Sequence, residues 1–262
     1  MTYAFGREAQ QRLEMFAWAN VLLAFDFDGT LAPLTASPGR AAMRASTRRL
    51  LKQICRLYPS VVISGRSRAD VRSRLRGVDL CQIVGNHGSE PWLGSAAIQR
   101  RIRTWVPTLR RQLAGEPGVV IEDKGFSVAV HYRASSDRSA ARRAILAATK
   151  SLGAVRVVGG ELAVNLLDPH APDKGVALDR QRDHLACDHA IYVGDDDTDE
   201  DVFRLKWPPE RLFTVRVGRK AASAAAFYLR TQAEIDRLLE KLIELRTPVR
   251  SARSTLAASA GT

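Results

Sequence analysis

Long apolar runs are missing from this 262-residue chain, and the longest fall far short of the roughly 20 residues a helix needs to cross a bilayer. No membrane role is expected. Cysteine is scarce: Cys55, Cys81 and Cys187 are odd in number and scattered, without metal-ligand spacing. That pattern excludes a disulfide scaffold or a zinc module and points to reduced thiols in a cytoplasmic setting. Residues 1–11 have neither a basic segment nor an apolar one of the secretory kind, so no signal peptide is expected. Internal repeats are absent. Acidic residues are outnumbered, 28 Asp and Glu against 40 Lys and Arg, and the net charge of +12 raises a nucleic-acid-binding module as an alternative class. No aromatic-interleaved basic motif, helix-turn-helix signature or zinc spacing accompanies that charge. Arginines such as Arg44, Arg48, Arg49, Arg72, Arg74 and Arg76 are interspersed with apolar residues, as on solvated helix faces. The surplus also suits a protein whose ligand is a small phosphate ester. A monomer that binds no nucleic acid is the expectation.

What the chain does have is concentrated at residues 21–31, Val-Leu-Leu-Ala-Phe-Asp-Phe-Asp-Gly-Thr-Leu. The apolar start suits a strand buried on both faces of a parallel sheet. Side chains alternate along a strand, so Asp26 and Asp28 begin on the same side, and Gly29 permits a sharp turn beyond them. In open α/β sheets ligands bind beyond the carboxyl ends of strands. Two like charges held there repel unless a cation or a shared proton intervenes, and a hard, oxygen-seeking ion such as Mg2+ answers that need. An EF-hand calcium loop needs a further oxygen ligand before its glycine and does not follow a buried strand, so it ranks below a catalytic aspartate pair.

Around this stretch the chain alternates. Residues 3–20 read as a helix leading into the first strand, 40–58 as an amphipathic helix, 60–63 as a strand, 68–76 as a helix and 80–84 as a third strand. That order predicts a doubly wound parallel sheet. A different pattern follows: helices over 98–113 and 137–152, strands over 119–122 and 126–132, and strands over 155–158 and 162–166 joined by Gly159-Gly160. It predicts an inserted α+β unit with an antiparallel sheet. The first pattern resumes with a helix over 174–184, a strand over 190–193, a helix over 198–205, a last strand over 213–217 and a last helix over 232–245. The predicted organisation is a core of residues 1–94 and 169–246, a cap of 95–168 and a disordered tail of 247–262. Linkers near 91–96 and 167–172, each with a proline, are expected to act as hinges.

Predicted strand ends carry complementary chemistry. The first offers Asp26 and Asp28, the second Ser64, and the strand over 190–193 runs into Gly194-Asp195-Asp196-Asp197-Thr198-Asp199-Glu200, with Lys174 opening the preceding helix. Carboxylates for a nucleophile and a metal, with a hydroxyl and an ammonium for phosphate oxygens, make a phosphoryl-transfer site. Asp26 is expected to attack phosphorus and Asp28 to act as general acid and base. Mg2+ is expected on Asp26, the Asp28 carbonyl and Asp195, with Thr30, Asp196 and Asp199 behind them orienting Lys174 and metal-bound water. Lys124 competes for the role of the catalytic lysine. Chain order favours Lys174, which follows the insert.

Asp26-x-Asp28-Gly29-Thr30, Ser64, Lys174 and Gly194-Asp195-Asp196, in this order, resemble the four motifs of the haloacid dehalogenase superfamily, and the insert resembles that superfamily's C2-type cap. More narrowly, Ser64-Gly65-Arg66, Gly85-Asn86-His87-Gly88-x-Glu90, Glu122-Asp123-Lys124-Gly125, Val128-Ala129-Val130-His131-Tyr132-Arg133 and Gly194-Asp195-Asp196-x-Thr198-Asp199-Glu200 are similar to trehalose-6-phosphate phosphatases. The resemblance covers about residues 20–230. It implies hydrolysis of a small sugar phosphate, with Ser64, Gly65 and Lys174 on the phosphate. It also implies that Arg66, Asn86, His87, Glu122 and Lys124 contact the sugar. One departure stands out. The family usually carries a glutamate in the last cap strand, where this chain reads Ala163-Val164-Asn165-Leu166-Leu167. Asn165 offers donor and acceptor but no charge. Another glycosyl phosphate, such as glucosylglycerol phosphate, is the alternative substrate.

Overall fold

The computed structural model describes residues 1–35, 38–91, 96–160 and 162–247. Its first half runs β1 (Thr2–Tyr3), α1 (Arg7–Trp18), β2 (Val21–Phe25), α2 (Ala45–Leu57), β3 (Ser60–Ile63), α3 (Arg68–Arg74) and β4 (Gln82–Val84). The inserted unit is α4 (Ala96–Gln112), β5 (Val120–Asp123), β6 (Ser127–His131), α5 (Arg138–Thr149), β7 (Arg156–Gly160) and β8 (Ala163–Leu167). The chain then returns through α6 (Lys174–His184), β9 (His189–Gly194), α7 (Glu200–Phe203), β10 (Leu212–Val217), β11 (Phe227–Leu229) and α8 (Glu234–Arg246).

Seven strands form one sheet in the order β1-β11-β10-β9-β2-β3-β4, and every pairing is parallel. The alternation of side chains explains why β2 is apolar throughout. Val21, Leu23 and Phe25 pack with α1, α2, α3 and α8 on one face, while Leu22 and Ala24 pack with α6 and α7 on the other. All five are buried, and each large one contributes roughly 1.5–3 kcal/mol. From β2 the chain winds outward through β3 and β4, then crosses back to β9 on the opposite side. The crevice beyond β2, β3 and β9 is therefore the topological switch point at which such sheets bind ligands.

The second sheet is antiparallel, ordered β5-β6-β8-β7. Its Val128, Val130, Val164 and Leu166 face α4 and α5, packing on Ile102, Trp105, Leu109 and Ile145. The opposite face carries Glu122, Ala129 and Asn165 in one register row. This is the expected parallel core with an α+β insert.

Several details differ from expectation. The first helix begins only at Arg7, because Thr2–Tyr3 pairs with β11 at the sheet edge. The strand at 213–217 is not the last: three residues, Phe227–Leu229, extend the sheet beyond it. They are too short and too close to an alanine run to show periodicity. Gly159 and Gly160 do not form a turn but pair with Val164 and Ala163 as the end of β7. The helix expected over 198–205 shrinks to Glu200–Phe203, because the residues before it fold around Asp199. Limits drawn at 94/95 and 168/169 fall just before α4 and just after β8. The expected tail beyond Thr247 and most of the first expected hinge lie outside the described residues. No helix among the described residues is long and apolar enough to cross a membrane.

Candidate active site

Asp26 follows β2 directly, and its amide continues the ladder to the Val193 carbonyl at 2.9 Å. Its side chain is buried, and Lys174 Nζ donates to its Oδ1 at 3.0 Å. Lys174 opens α6 behind the N-cap Asp173 and is 1% exposed, so its ammonium is held inside the protein between carboxylates. Burial works against that charge, but Asp199 and Asp26 outweigh it and lift the Lys174 pKa well above the ordinary lysine value. Of the two candidate lysines, both of which line the cavity, Lys174 is the one bonded to Asp26.

Asp199 is saturated. Its Oδ1 accepts from Lys174 Nζ at 2.8 Å and from Tyr192 Oη at 2.6 Å, and its Oδ2 accepts from the amides of Asp195 at 2.7 Å and Asp196 at 2.9 Å. Gly194 makes this possible, since a Cβ there would stand 2.2 Å from Asp199 Cγ. Asp196 caps its own loop, accepting from the Thr198 amide at 2.8 Å and the Thr198 hydroxyl at 2.6 Å. The loop between β9 and α7 is thus folded so that Asp195 is presented outward toward Asp26.

Asp195 has little to offset its charge: Thr30 Oγ1 donates at 3.3 Å, and Thr30 is itself held by Gln232 Nε2 on its carbonyl at 2.7 Å. Burial, then Asp26 and Asp199, push the Asp195 pKa well up; burial likewise raises that of Asp26 against the pull of Lys174. Carboxylate oxygens of Asp26, Asp195 and Asp199 lie within 4.8 Å of one another. Two buried carboxylates and one half-buried one, facing one ammonium, fit a divalent cation with hard oxygen ligands. Because all four donors of Asp199 are internal, Asp26 and Asp195 are the pair left to hold it. Gly29 lets the two loops meet: at φ +74°, a Cβ there would lie 2.0 Å from Asp195 Oδ2.

Ser64 follows β3 directly, with its Oγ accepting from the Arg66 amide at 3.2 Å. Gly65 lies against His87, whose ring would be 2.5 Å from a Cβ at that position. Arg66, expected on the sugar, lines the cavity and grips Asp28 with two nitrogens, Nη2 at 2.7 Å from Oδ1, and reaches Asp70 at 2.8 Å. His87 has neither ring nitrogen bonded, and burial followed by Lys174, Lys124 and Arg156 holds its pKa well below the usual imidazole value.

The cap closes the other side. Lys124 Nζ donates to the Gly65 carbonyl at 3.3 Å, and Glu122 Oε2 meets His131 Nε2 at 2.8 Å. That bond to His131 is the main reason the Glu122 pKa falls, and burial lowers that of Lys124. Between Glu122 and Asn165 the register row holds Ala129. One cavity of about 1030 Å³ joins Asp26, Lys174 and Asp195 to Glu122, Lys124 and Asn165. The expected residue absent from this surface is Asn86: its amide is used up between Glu90, Lys124 and Ser127, so the expected sugar contact is corrected to an internal one.

Sequence reading missed Tyr192 and Arg216, which donates to the Asp196 carbonyl at 2.9 Å and lies 3.2 Å from Glu200. Tyr192 looks like an ordinary strand aromatic. The signal for it was its place two residues before the acidic loop.

Residues 24–227 match the sequence profile of the trehalose-phosphatase family. A trehalose-phosphate phosphatase of Mycobacterium bovis is 34% identical over 241 residues, a match that takes in 84% of this chain and 61% of that protein. The chain therefore spans about three fifths of the length of that relative. Among solved structures, the C-terminal domain of the C. albicans trehalose-6-phosphate phosphatase superposes with a TM-score of 0.78 at 21% identity, covering 94% of this chain and 99% of that one. A trehalose-6-phosphate phosphatase related protein gives 0.69 at 23% identity, covering 86% and 97%.

Proposed function

The chain belongs to the trehalose-phosphatase family, and on that premise we propose that it hydrolyses trehalose 6-phosphate to trehalose and phosphate. The observation that carries the proposal is a single cavity in which a buried aspartate, held 3.0 Å from a buried lysine, faces the charged and amide side chains of the cap.

Phosphate monoesters hydrolyse extremely slowly in water, and enzymes accelerate the reaction up to about 10²¹-fold, so charge must be met at every oxygen. Asp26 Oδ attacks phosphorus, forming an aspartyl-phosphate as the bond from phosphorus to the sugar oxygen breaks. Asp28, whose two oxygens accept from Arg66 at rest, leaves that fork carrying a proton taken from solvent and gives it to the departing sugar oxygen. It then takes one from the water that cleaves the intermediate and frees Asp26. Lys174 and Ser64 take the phosphoryl oxygens as these gather charge. Asp26 and Asp195 would hold Mg2+, which when bound supplies positive charge against phosphate and nucleophile. Glu122, Lys124 and Asn165 line the sugar side of the cavity.

Asn165 favours a second reading, in which the sugar is a different glycosyl phosphate with one fewer charged contact. Phosphate release across a panel that includes trehalose 6-phosphate, glucosylglycerol phosphate and hexose 6-phosphates, with Mg2+, tests both. The first reading expects trehalose 6-phosphate to give the highest kcat/KM. A clear preference for another member of the panel refutes it.

A further inference from the structure

Asn86 is fully buried at φ +48°, followed by His87 at φ +56°. Glycine favours this left-handed region, and asparagine and histidine enter it more readily than most other residues. The amide of Asn86 is engaged on every side. Its Nδ2 donates to Glu90 Oε2 at 3.0 Å and to the Lys124 carbonyl at 3.2 Å, while its Oδ1 accepts from Ser127 Oγ at 3.0 Å. Lys124 and Ser127 flank the tip of the hairpin between β5 and β6, so one side chain of the core seizes the cap at two points.

The backbone of the same residues faces the other way. The Asn86 amide donates to the Arg66 carbonyl at 2.7 Å, and the His87 amide donates to the Ser64 carbonyl at 3.0 Å. Both acceptors belong to the loop expected to bind phosphate. Glu90, which anchors the Asn86 side chain, also accepts from the Arg68 amide at 2.6 Å as α3 begins. Gly85 leaves room for this, because a Cβ there would stand 2.5 Å from Glu90 Oε2. The linker is fastened separately: Arg156 donates to the carbonyls of Ala171 and Pro172, each at 2.9 Å, and Arg101 pairs with Asp168 at 2.6 Å.

We propose that Asn86 is a positioning residue that locks the seated cap hairpin to the loop of Ser64, Gly65 and Arg66. Sugar contacts on the cap and phosphate contacts on the core are thereby held in one geometry. This rests on the sugar-phosphate reading above. A substrate that spans cap and core requires the lock. A small ester bound by the core alone does not.

The test is a double-mutant cycle on the purified full chain, with steady-state kinetics on trehalose 6-phosphate and p-nitrophenyl phosphate in Mg2+. Asn86→Gly removes the amide while suiting the positive φ, and Ser127→Ala removes the hydroxyl from the cap side. Each single change is expected to lower kcat/KM on trehalose 6-phosphate roughly five- to a hundredfold, mainly through KM. The double variant is expected to be no worse than the weaker single variant, because the same lock is lost once. Ser127→Ala should leave p-nitrophenyl phosphate turnover within about twofold of the parent. Additive losses in the double variant, or equal losses on the two esters, overturn the proposal. Should Asn86→Gly not fold, the two-ester comparison on Ser127→Ala decides alone. A parent protein inactive on trehalose 6-phosphate refutes the substrate assignment instead, and the same cycle then runs on whichever sugar phosphate the panel identifies.

Discussion

Tyr192→Phe should reduce turnover without changing substrate affinity. The hydroxyl donates to Asp199 Oδ1 at 2.6 Å, inside a site where Tyr192 and Asp199 are both fully buried. Asp199 shares that same oxygen with Lys174 at 2.8 Å, and Lys174 in turn reaches Asp26 at 3.0 Å. Removing the phenol leaves Asp199 short of a donor, so its charge draws harder on the ammonium and pulls it from Asp26 and the phosphoryl oxygens. A hydrogen bond to a buried charge is worth roughly 1.5–3 kcal/mol. At 1.36 kcal/mol per decade, that predicts a fall in kcat of about ten- to a hundredfold if most of the loss is felt in the transition state. The ring remains, edge-on to Phe203 at 6.0 Å between centroids, so packing is preserved. Steady-state phosphate release and a thermal melt on the same preparation measure both effects. A variant with the parent's kcat and a lowered melting temperature would show that the hydroxyl only stabilises the fold, and the reasoning would fail.

Asp26→Asn should abolish turnover, because an amide is a poor nucleophile and a weaker metal ligand; near-normal phosphate release from a folded variant would refute the assignment. Glu122→Ala and Lys124→Ala should each cost about ten- to a hundredfold in kcat/KM on trehalose 6-phosphate and much less on p-nitrophenyl phosphate, a split that equal losses on both substrates would contradict. Gly29→Ala places a Cβ 2.0 Å from Asp195 Oδ2 at φ +74°, so activity should fall and the concentration of Mg2+ needed to stabilise the fold against heat should rise. For His87 the sign follows from its depressed native pKa: below the ordinary value near 6.5 the unfolded chain takes a proton that the native state refuses, so stability is full above that pH and falls as pH drops. His87→Asn, which tolerates the positive φ, should flatten that slope in denaturant titrations run on either side of about pH 6.5.

The parallel core was legible because its strands are buried on both faces. Unbroken apolar runs such as residues 21–25, ending in turn chemistry, leave little else to build. The insert was legible because its hairpins keep a period of two. The misplaced pieces share a cause: β1 and β11 are two and three residues long, and their pairing comes from neighbours remote in the chain. No local pattern records that. Asn86 illustrates a second limit. A loop reading Gly-Asn-His-Gly next to a phosphate-binding turn looks like a ligand contact, and only tertiary geometry shows that both functional ends of the amide point into the protein.

At the catalytic centre the sequence reveals how many charges there are but not how they are disposed. Motif order set Asp199 behind Asp26 and Asp195, yet as residue types the three are alike, each a carboxylate near a strand end. In the structure the fold divides them. Asp199 receives two backbone amides, a phenol and the ammonium, which makes it part of the frame. Asp26 has the ammonium and Asp195 a distant hydroxyl, so the unresolved negative charge collects on the two that face the cavity. That division follows from Gly194, whose missing Cβ lets Asp199 fold back under its own loop. The repulsion between Asp26 and Asp195 is then the driving force for binding a cation, and it is greatest at the atom that must approach a phosphate. A larger residue at position 194 would expel Asp199 and release its donors. All three carboxylates would then compete for Lys174.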